Sequence, residues 1–357
     1  MQVISIPDFC DAIHHVAYLQ REPIMAWGKP GVGKSEGVRT AIRRILEMLG
    51  ITYIGKHFTA NGCARLVDIR LSQYDSVDLR GIPVPDQGMT VWNAPITLPF
   101  KGNSRFVEDD TPIFLFLDEI NSASQSVAAV AYQLINDWAI GEHELLDNVV
   151  VIAAGNREQD RGVTNRMPTP LANRFTHYEV DVDVDAWCFY AQEQGWAPEG
   201  IAFMQFRKPL LCTFDPAKPD KAFATPRTWE KALKYYSDAR MPDHVKQAAM
   251  TGAIGEGPAA EFWGFVDVWG KMPKMSDIEA NPDKVPVPDE AAMRYAVAVA
   301  ISGSMTVRNA GPFSSYLLRM DPEFAVLAWQ LAIKRDKMVT AASEFIAFAK
   351  KFRAIFA

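Results

Sequence analysis

The stretch Pro23-Ile-Met-Ala-Trp-Gly28-Lys-Pro-Gly-Val-Gly-Lys-Ser35 joins a short apolar run to a glycine-rich loop. The run Pro23–Trp27 predicts a short buried strand, and the residues after the loop carry apolar side chains at helical spacing. Residues Gly28–Ser35 match G-x-x-x-x-G-K-[ST] without error, in the strand-to-helix context that this motif requires. The order of strand, loop and helix therefore predicts a phosphate-binding loop at one edge of a parallel sheet.

The residue types in this loop suit ATP bound together with Mg²⁺. Gly28, Gly31 and Gly33 let backbone N–H groups turn inward around phosphate oxygens, and the helix N-terminus adds partial positive charge. Lys34 is expected to reach the β- and γ-phosphates, and Ser35 to ligate Mg²⁺. The predicted ATP-binding residues are Gly28, Lys29, Pro30, Gly31, Val32, Gly33, Lys34 and Ser35. The alternative is a glycine-rich turn that binds nothing, which the Lys-Ser pair in register disfavours.

Polar residues follow two apolar runs that read as buried strands. Asp118 and Glu119 follow Pro112–Leu117 (PIFLFL), and Asn156 ends the stretch VVVIAAGN, whose apolar run is Val149–Ala154 (VVVIAA). Ligands of open α/β sheets bind at the carboxyl ends of the strands. Asp118 is therefore expected to hold Mg²⁺, Glu119 to orient and deprotonate water, and Asn156 to hold that water. The alternatives are solvated acids that cap the following helix, and a turn residue at 156.

The pattern of elements changes along the chain. Strand and helix signals alternate over residues 1–185, which predicts an α/β core whose parallel sheet is covered on both faces. Residues 186–272 read as helical, which predicts a separate helical domain. Residues 273–289 are rich in Pro and Asp and predict a linker, and residues 290–357 read as further helices.

Bulk properties exclude several classes of protein. The 357 residues carry a formal net charge of −6, which argues against a dedicated nucleic-acid binder because such domains need a basic face. The four cysteines are dispersed and predict neither a zinc site nor a disulfide framework. No signal peptide is visible, and no apolar stretch is long enough to span a bilayer. We therefore expect a cytoplasmic protein without membrane insertion.

Four segments together resemble the AAA+ superfamily and, within it, the MoxR-like group. They are GKPGVGKS, FLFLDEIN, AAGNREQDRGVTNRMPTPLANRF and FATPRTWEKAL. The resemblance covers roughly residues 7–270 and leaves the tail uncovered. It implies a three-layer αβα P-loop NTPase core, followed by an all-α lid and a C-terminal helical extension. It also implies ATPase activity.

The same resemblance implies a role for each matching position. Residues Gly28–Ser35 are similar to the Walker A loop, Asp118 and Glu119 to the Walker B acids, and Asn156 to sensor 1. These roles agree with the chemistry read from the residues themselves.

Two arginines match positions that act on the γ-phosphate in the family. Arg174, in the sequence LANRF, lies where the arginine finger is expected, with Arg166 and Arg161 as rivals in the same loop. Arg227, in the sequence TPR, matches sensor 2. A structural salt bridge is the alternative for each. An arginine finger acts on the nucleotide of a neighbouring subunit, so this assignment implies a homo-oligomer, which in this family is a hexameric ring.

The resemblance to MoxR-like ATPases implies a chaperone that remodels or activates partner proteins, often ones with a von Willebrand factor A domain. Residues 82–92 resemble the helix-2 hairpin insertion that faces the ring pore in this clade. The helices of 290–357 could dock such a partner, although packing on the same chain is favoured slightly. Two other hypotheses stay open: a nucleic-acid-associated P-loop motor, and a nucleotide-gated assembly scaffold with slow turnover.

Overall fold

The computed structural model describes residues 1–160, 167–218 and 220–352 of the chain. It divides into two compact units. The first comprises residues 1–181 and 215–218, and the second comprises the other described residues from 182 onward. The first unit holds every strand of the described chain, and the second holds only helices and connecting loops.

The strands follow one another along the first unit. Their bounds are β1 Val3–Ile4, β2 Ile24–Trp27, β3 Thr59–Ala60, β4 Cys63–Ala64, β5 Leu66–Arg70, β6 Ile82–Asp86, β7 Met89–Asn93, β8 Ile113–Asp118, β9 Ala139–Ile140, β10 His143–Glu144, β11 Val149–Gly155 and β12 Thr176–Val180. Six of them form one sheet in the order β1-β12-β2-β11-β8-β5, and every neighbouring pair is parallel. The remaining six form three small antiparallel pairs: β3 with β4, β6 with β7, and β9 with β10.

The helices of the first unit connect these strands. Their bounds are α1 Ile6–Ala12, α2 Lys34–Met48, α3 Ser76–Arg80, α4 Gln125–Asp137 and α5 Thr169–Ala172. A π-helical segment, Ile13–Tyr18, continues α1. Ser5 caps α1 and Ser124 caps α4, because each hydroxyl accepts a hydrogen bond from a backbone N–H of the first turn.

The central sheet has a hydrophobic core on each face. Alternate residues of a strand point to opposite faces, and β11 shows this alternation. Ile152 and Ala154 lie in the core that contains Ile42 of α2, whereas Val151 and Ala153 lie in the core that contains Leu134 of α4. Both β8 and β11 are buried along their whole length, as expected for central parallel strands. This arrangement of a parallel sheet between helical layers confirms the predicted α/β fold class.

The second unit is helical throughout its described residues. Its helices are α6 Val184–Glu193, α7 Pro198–Phe206, α8 Pro226–Ser237, α9 Asp243–Ile254, α10 Glu256–Trp269, α11 Met275–Ala280, α12 Ala291–Ser304, α13 Ala310–Leu317, α14 Pro322–Arg335 and α15 Ser343–Lys351. Phe203, Trp229 and Phe262 form a cluster of buried rings at its centre. The indole N–H of Trp229 donates to Leu210 O at 2.8 Å, so this large side chain is buried with its polar atom satisfied.

The C-terminal helices pack on the helices that the sequence analysis predicts as a lid. Helix α12 contacts both α7 and α14, and its residues Ala296 and Val299 belong to the same core as Trp229. Helix α11 lies within residues 273–289, where its Ile278 is fully buried. The C-terminal extension is therefore continuous with the lid helices in one unit. None of the helices in the described part of the chain is long and apolar enough to cross a membrane.

Candidate nucleotide-binding site

The glycine-rich loop runs from the end of β2 to the start of α2. Gly31 and Gly33 have φ values of +78° and +108°, the left-handed region that glycine adopts without steric cost. At Gly28 a Cβ atom would lie 2.3 Å from the backbone oxygen of Val180 on β12. Glycine at these positions therefore lets the loop curl tightly while its first residue stays against the sheet.

Lys34 is the first residue of α2 and is almost fully buried, with 8% of its surface exposed. Its ammonium donates to Gly28 O at 2.6 Å and to Lys29 O at 3.0 Å. It also lies 3.4 Å from Oδ1 of Asn156. The carbonyl groups thus hold a positive charge inside the curve of the loop, next to a helix N-terminus. A phosphate group fits this combination of charge and helix dipole.

Ser35 and Asp118 are in direct contact across the gap between α2 and β8. The Ser35 hydroxyl donates to Oδ2 of Asp118 at 2.9 Å, and the backbone N–H of Glu119 donates to Oδ1 at 2.9 Å. Burial raises the pKa of the Asp118 carboxyl, and the hydrogen bond from Ser35 opposes that rise. Mg²⁺ prefers oxygen ligands, and a hydroxyl paired with a buried carboxylate is a suitable pair of them.

Glu119, directly after β8, departs from the extended backbone conformation of the strand. Its φ and ψ are +57° and +33°, in the left-handed region, so the chain turns sharply away from β8. Its carboxylate accepts a hydrogen bond from the Ser72 hydroxyl. A non-glycine residue in this region is strained, and such strain is found at functional sites.

Ser72 is a site residue that the sequence analysis does not include. It belongs to the 3₁₀ turn Leu71–Gln73, which follows β5 directly. β5 is the neighbour of β8 in the sheet, so its carboxyl end lies beside Asp118 and Glu119. Polar residues at the carboxyl ends of neighbouring strands lie close together, and on this basis Ser72 could have been predicted as a site residue. The prediction would have required knowing from the sequence which strand lies beside β8.

Asn156 directly follows β11, the strand between β2 and β8 in the sheet. Its position explains why its side chain reaches Lys34. Three neighbouring strand ends therefore place Lys34, Ser35, Asp118, Glu119 and Asn156 at one edge of the sheet.

The two arginines of the sequence analysis lie in different units. Arg174 is exposed in the turn between α5 and β12, in the first unit. Arg227 is exposed in the first turn of α8, in the second unit. Their proposed rivals Arg161 and Arg166 lie outside the described residues.

The turn that carries Arg174 is tied to the strand that precedes the glycine-rich loop. The indole N–H of Trp27, the last residue of β2, donates to Nδ1 of His177 at 2.9 Å. Nδ1 is then the acceptor, so Nε2 carries the proton and donates to Ala172 O at 2.7 Å. Ala172 lies two residues before Arg174. Neutral His177 therefore connects the loop region to the Arg174 turn.

Comparisons with solved structures give matches of low identity and low TM-score. No family model matches the sequence, and no curated protein matches it. The structure of NtrX from Brucella abortus is 15% identical, with a TM-score of 0.38, and the match covers 99% of this chain and 69% of that one. A point mutant of RuvB from Thermotoga maritima is 15% identical, with a TM-score of 0.37 and coverage of 88% and 86%. A putative ATPase from Cytophaga hutchinsonii is 12% identical, with a TM-score of 0.31 and coverage of 92% and 84%. Similarity at this level does not carry function from one protein to another.

Proposed function

We propose that this chain is a magnesium-dependent ATPase of the AAA+ type. The observation that carries the proposal is the placement of five residues at the carboxyl ends of β2, β8 and β11. Next to the glycine-rich loop, the buried Lys34 contacts Asn156, Ser35 contacts Asp118, and Glu119 follows Asp118 directly. Each has the charge and chemical type that hydrolysis of a phosphoanhydride requires.

The residues divide the reaction between binding and proton transfer. Lys34 and the backbone N–H groups of the loop bind the triphosphate, while Ser35 and Asp118 hold Mg²⁺. The bound ion supplies positive charge to the phosphate oxygens. Glu119 accepts a proton from the attacking water, and Asn156 orients that water. The new bond joins the water oxygen to the γ-phosphorus, the bond from that phosphorus to the β–γ bridging oxygen breaks, and ADP leaves.

Arg174 and Arg227 are proposed to respond to the γ-phosphate. Arg174 is exposed on a turn, as a side chain must be if it acts in the site of a neighbouring subunit. A guanidinium keeps its charge at any working pH, and its planar fork matches phosphate oxygens. We assign Arg174 as the finger between subunits and Arg227 as sensor 2. These assignments require a homo-oligomer, and we propose a hexameric ring of the MoxR-like kind.

The hairpin β6–β7 is proposed to contact a client protein. Its turn places Gln87 and Gly88 at positive φ, the geometry of a two-residue hairpin loop. Ile82 and Met89 lie on it with 65% and 69% of their surfaces exposed, so the hairpin offers apolar side chains to another molecule. We propose remodelling or activation of a partner protein, such as one with a von Willebrand factor A domain.

Hydrolysis and nucleotide binding by the full chain test the ATPase. The wild type should bind ATP only weakly without Mg²⁺, and it should release phosphate from ATP when Mg²⁺ is present. Lys34→Ala should weaken nucleotide binding at least about tenfold, because a buried charge partner of the phosphates is lost. Glu119→Gln should keep the affinity and lower kcat about 100-fold, since a general base is lost.

Lys56→Ala, an exposed lysine of the same unit, is the matched control and should behave like the wild type. No magnesium-dependent affinity, or an unchanged Lys34→Ala variant, contradicts the proposal.

The client is tested with the Glu119→Gln variant, which should stay loaded with ATP. Affinity capture from cells that produce the variant, followed by mass spectrometry, should enrich a partner that the Lys34→Ala variant does not retain. The same proteins assayed with DNA test the alternative motor. ATPase activity that DNA stimulates strongly, and that falls steeply with salt, would favour that alternative over a protein client.

A further inference from the structure

The geometry points to Asn121 as the residue that positions Asn156 for hydrolysis. This inference rests on the proposed ATPase function and assigns a role to a residue outside the phosphate loop and the acid pair. Asn121 is buried, with 3% of its surface exposed, and lies in the short 3₁₀ segment Ile120–Ser122.

Asn121 takes the place of a missing strand partner. The ladder between β8 and β11 ends with the pair Leu117 and Ala153, because the chain turns away from the sheet at Glu119. Beyond that point the carboxamide of Asn121 contacts the backbone of Asn156. Its Nδ2 donates to Asn156 O at 2.7 Å, and its Oδ1 accepts from Asn156 N at 3.2 Å. One side chain thus restrains both backbone polar groups of one residue, as a neighbouring strand would.

Gly155 provides the space for this contact. A Cβ atom there would lie 2.6 Å from Oδ1 of Asn121 and 2.8 Å from the terminal carbon of Met25. The carboxamide therefore lies directly against the backbone of β11, and any larger residue at 155 would displace it. Glycine at 155 and asparagine at 121 form a matched pair.

The consequence is that Glu119 and Asn156 are held by the same turn. Asn121 follows Glu119 by two residues, so the turn that directs the carboxylate also fixes the strand end that presents the Asn156 amide. The Asn156 Oδ1 atom lies 3.4 Å from the Lys34 ammonium, so the Asn156 side chain also contacts a residue of the phosphate loop. Asparagine is the residue suited to this task. Aspartate is isosteric but lacks the N–H donor, and glutamine is one methylene longer.

Steady-state kinetics and nucleotide affinities of four variants test the inference. Asn121→Ala should lower kcat roughly 10- to 100-fold, because a small misplacement of a catalytic group is costly, while the Kd for ATP stays within about threefold. Asn156→Ala should lower kcat similarly. The double variant should be no slower than Asn156→Ala, because Asn121 acts through Asn156. Asn121→Asp should resemble Asn121→Ala, since it keeps the shape and loses the donor.

Asn148 provides the matched control for a purely structural role. It is also a buried asparagine, it precedes the same strand β11, and its Nδ2 donates to the backbone oxygens of Val107, Asp109 and Thr111. Asn148→Ala should lower the melting temperature but not kcat. If Asn121→Ala behaves the same way, or if its effect on kcat multiplies with that of Asn156→Ala, the positioning role is wrong.

Two further outcomes separate failure of the inference from other failures. If Asn121→Ala does not fold, Gly155→Ala displaces the carboxamide without deleting it and should produce the same loss of kcat. An unaffected Gly155→Ala variant would then overturn the inference. Absence of hydrolysis by the wild type overturns the proposed function and this role together. Normal wild-type turnover with a fully active Asn121→Ala variant overturns the role of Asn121 alone.

Discussion

Gly28 lies where the loop between β2 and α2 passes the carboxyl end of β12. An added Cβ would meet the backbone oxygen of Val180 at 2.3 Å, well inside contact distance. The neighbour is backbone, so no side-chain rotation can relieve the overlap. The loop or the strand would have to move, and the loop carries the N–H groups that are proposed to bind phosphate.

We therefore expect Gly28→Ala to lower ATP affinity by at least about tenfold and also to lower the melting temperature. Gly252 is the matched control, because it lies in α9 with open space around its added Cβ. Gly252→Ala should leave ATP affinity unchanged and raise stability by about 0.5–1 kcal/mol, since alanine favours the helix. Isothermal titration and thermal denaturation measure both effects. A Gly28→Ala protein with wild-type affinity would show that the loop is not held as described.

Single residues also show how far a sequence predicts a site. Lys34, Ser35 and Asp118 could be predicted because their spacing and their places at strand ends are local properties of the chain. Ser72 and Asn121 could not, because their roles depend on which strands are neighbours and on the left-handed turn at Glu119. A motif gives the groups that contact a ligand, and the fold gives the groups that hold them.

At the scale of elements, the amino-terminal edge of the sheet is fixed by a buried arginine. Arg65, directly before β5, is fully buried, and its guanidinium donates to both carboxylate oxygens of Asp109 at 2.9 and 2.8 Å. It also donates to Thr111 O at 3.1 Å, two residues before β8 begins. The pair therefore ties together the starts of two neighbouring strands at the edge opposite the candidate site.

This pair predicts a specific dependence of stability on pH. The Arg65 guanidinium lowers the pKa of the Asp109 carboxyl below its ordinary value, so the folded state favours the charged form. The stabilisation is present in full above the pKa of the unfolded chain, about 4, and is lost as the pH falls through the lowered pKa of the folded protein. Asp109→Asn should lower the free energy of unfolding by roughly 1–3 kcal/mol at pH 7.

Denaturant unfolding at several pH values between 3 and 7 measures this effect. The difference between the wild type and Asp109→Asn should be constant above about pH 5 and should shrink as the Asp109 carboxyl of the wild type is protonated. Asp110→Asn, at the exposed neighbouring position, should differ little from the wild type at any pH. A difference that stays the same down to pH 3 would contradict the assignment.

Elements differ in how well their sequences predict them. The apolar runs of β8 and β11 are long enough to be recognised as buried strands, and α2, α4, α8 and α15 have regular apolar spacing along one face. The two-residue strands β3 and β4 carry no such pattern, because they form only when the tertiary fold brings them into register. The short helix α11 lies in a segment whose prolines predict a linker, and it is held by burial of Ile278.

At the scale of the whole molecule, the lid helices and the C-terminal helices form one unit. Residues of α12 complete the core around Trp229, so this extension is part of the structure that carries Arg227. The sequence could not predict this continuity, because the resemblance to AAA+ proteins ends before residue 290.

The proposed ring predicts that two inactive variants restore each other when mixed. Glu119→Gln removes the base of its own site, whereas Arg174→Ala removes the finger that serves the site of a neighbour. In a mixed ring, an Arg174→Ala subunit keeps Glu119 and can receive Arg174 from an adjacent Glu119→Gln subunit. Random mixing in equal amounts places roughly a quarter of the interfaces in this arrangement, so phosphate release should recover to about that fraction of the wild-type rate. The control is a double variant that carries both changes, mixed with the wild type. In that mixture, an interface has both Glu119 and Arg174 in place where two wild-type subunits meet, and the variant adds none. If Arg174 acts within its own subunit, the two single variants stay inactive when mixed, because every site then lacks either the base or the arginine.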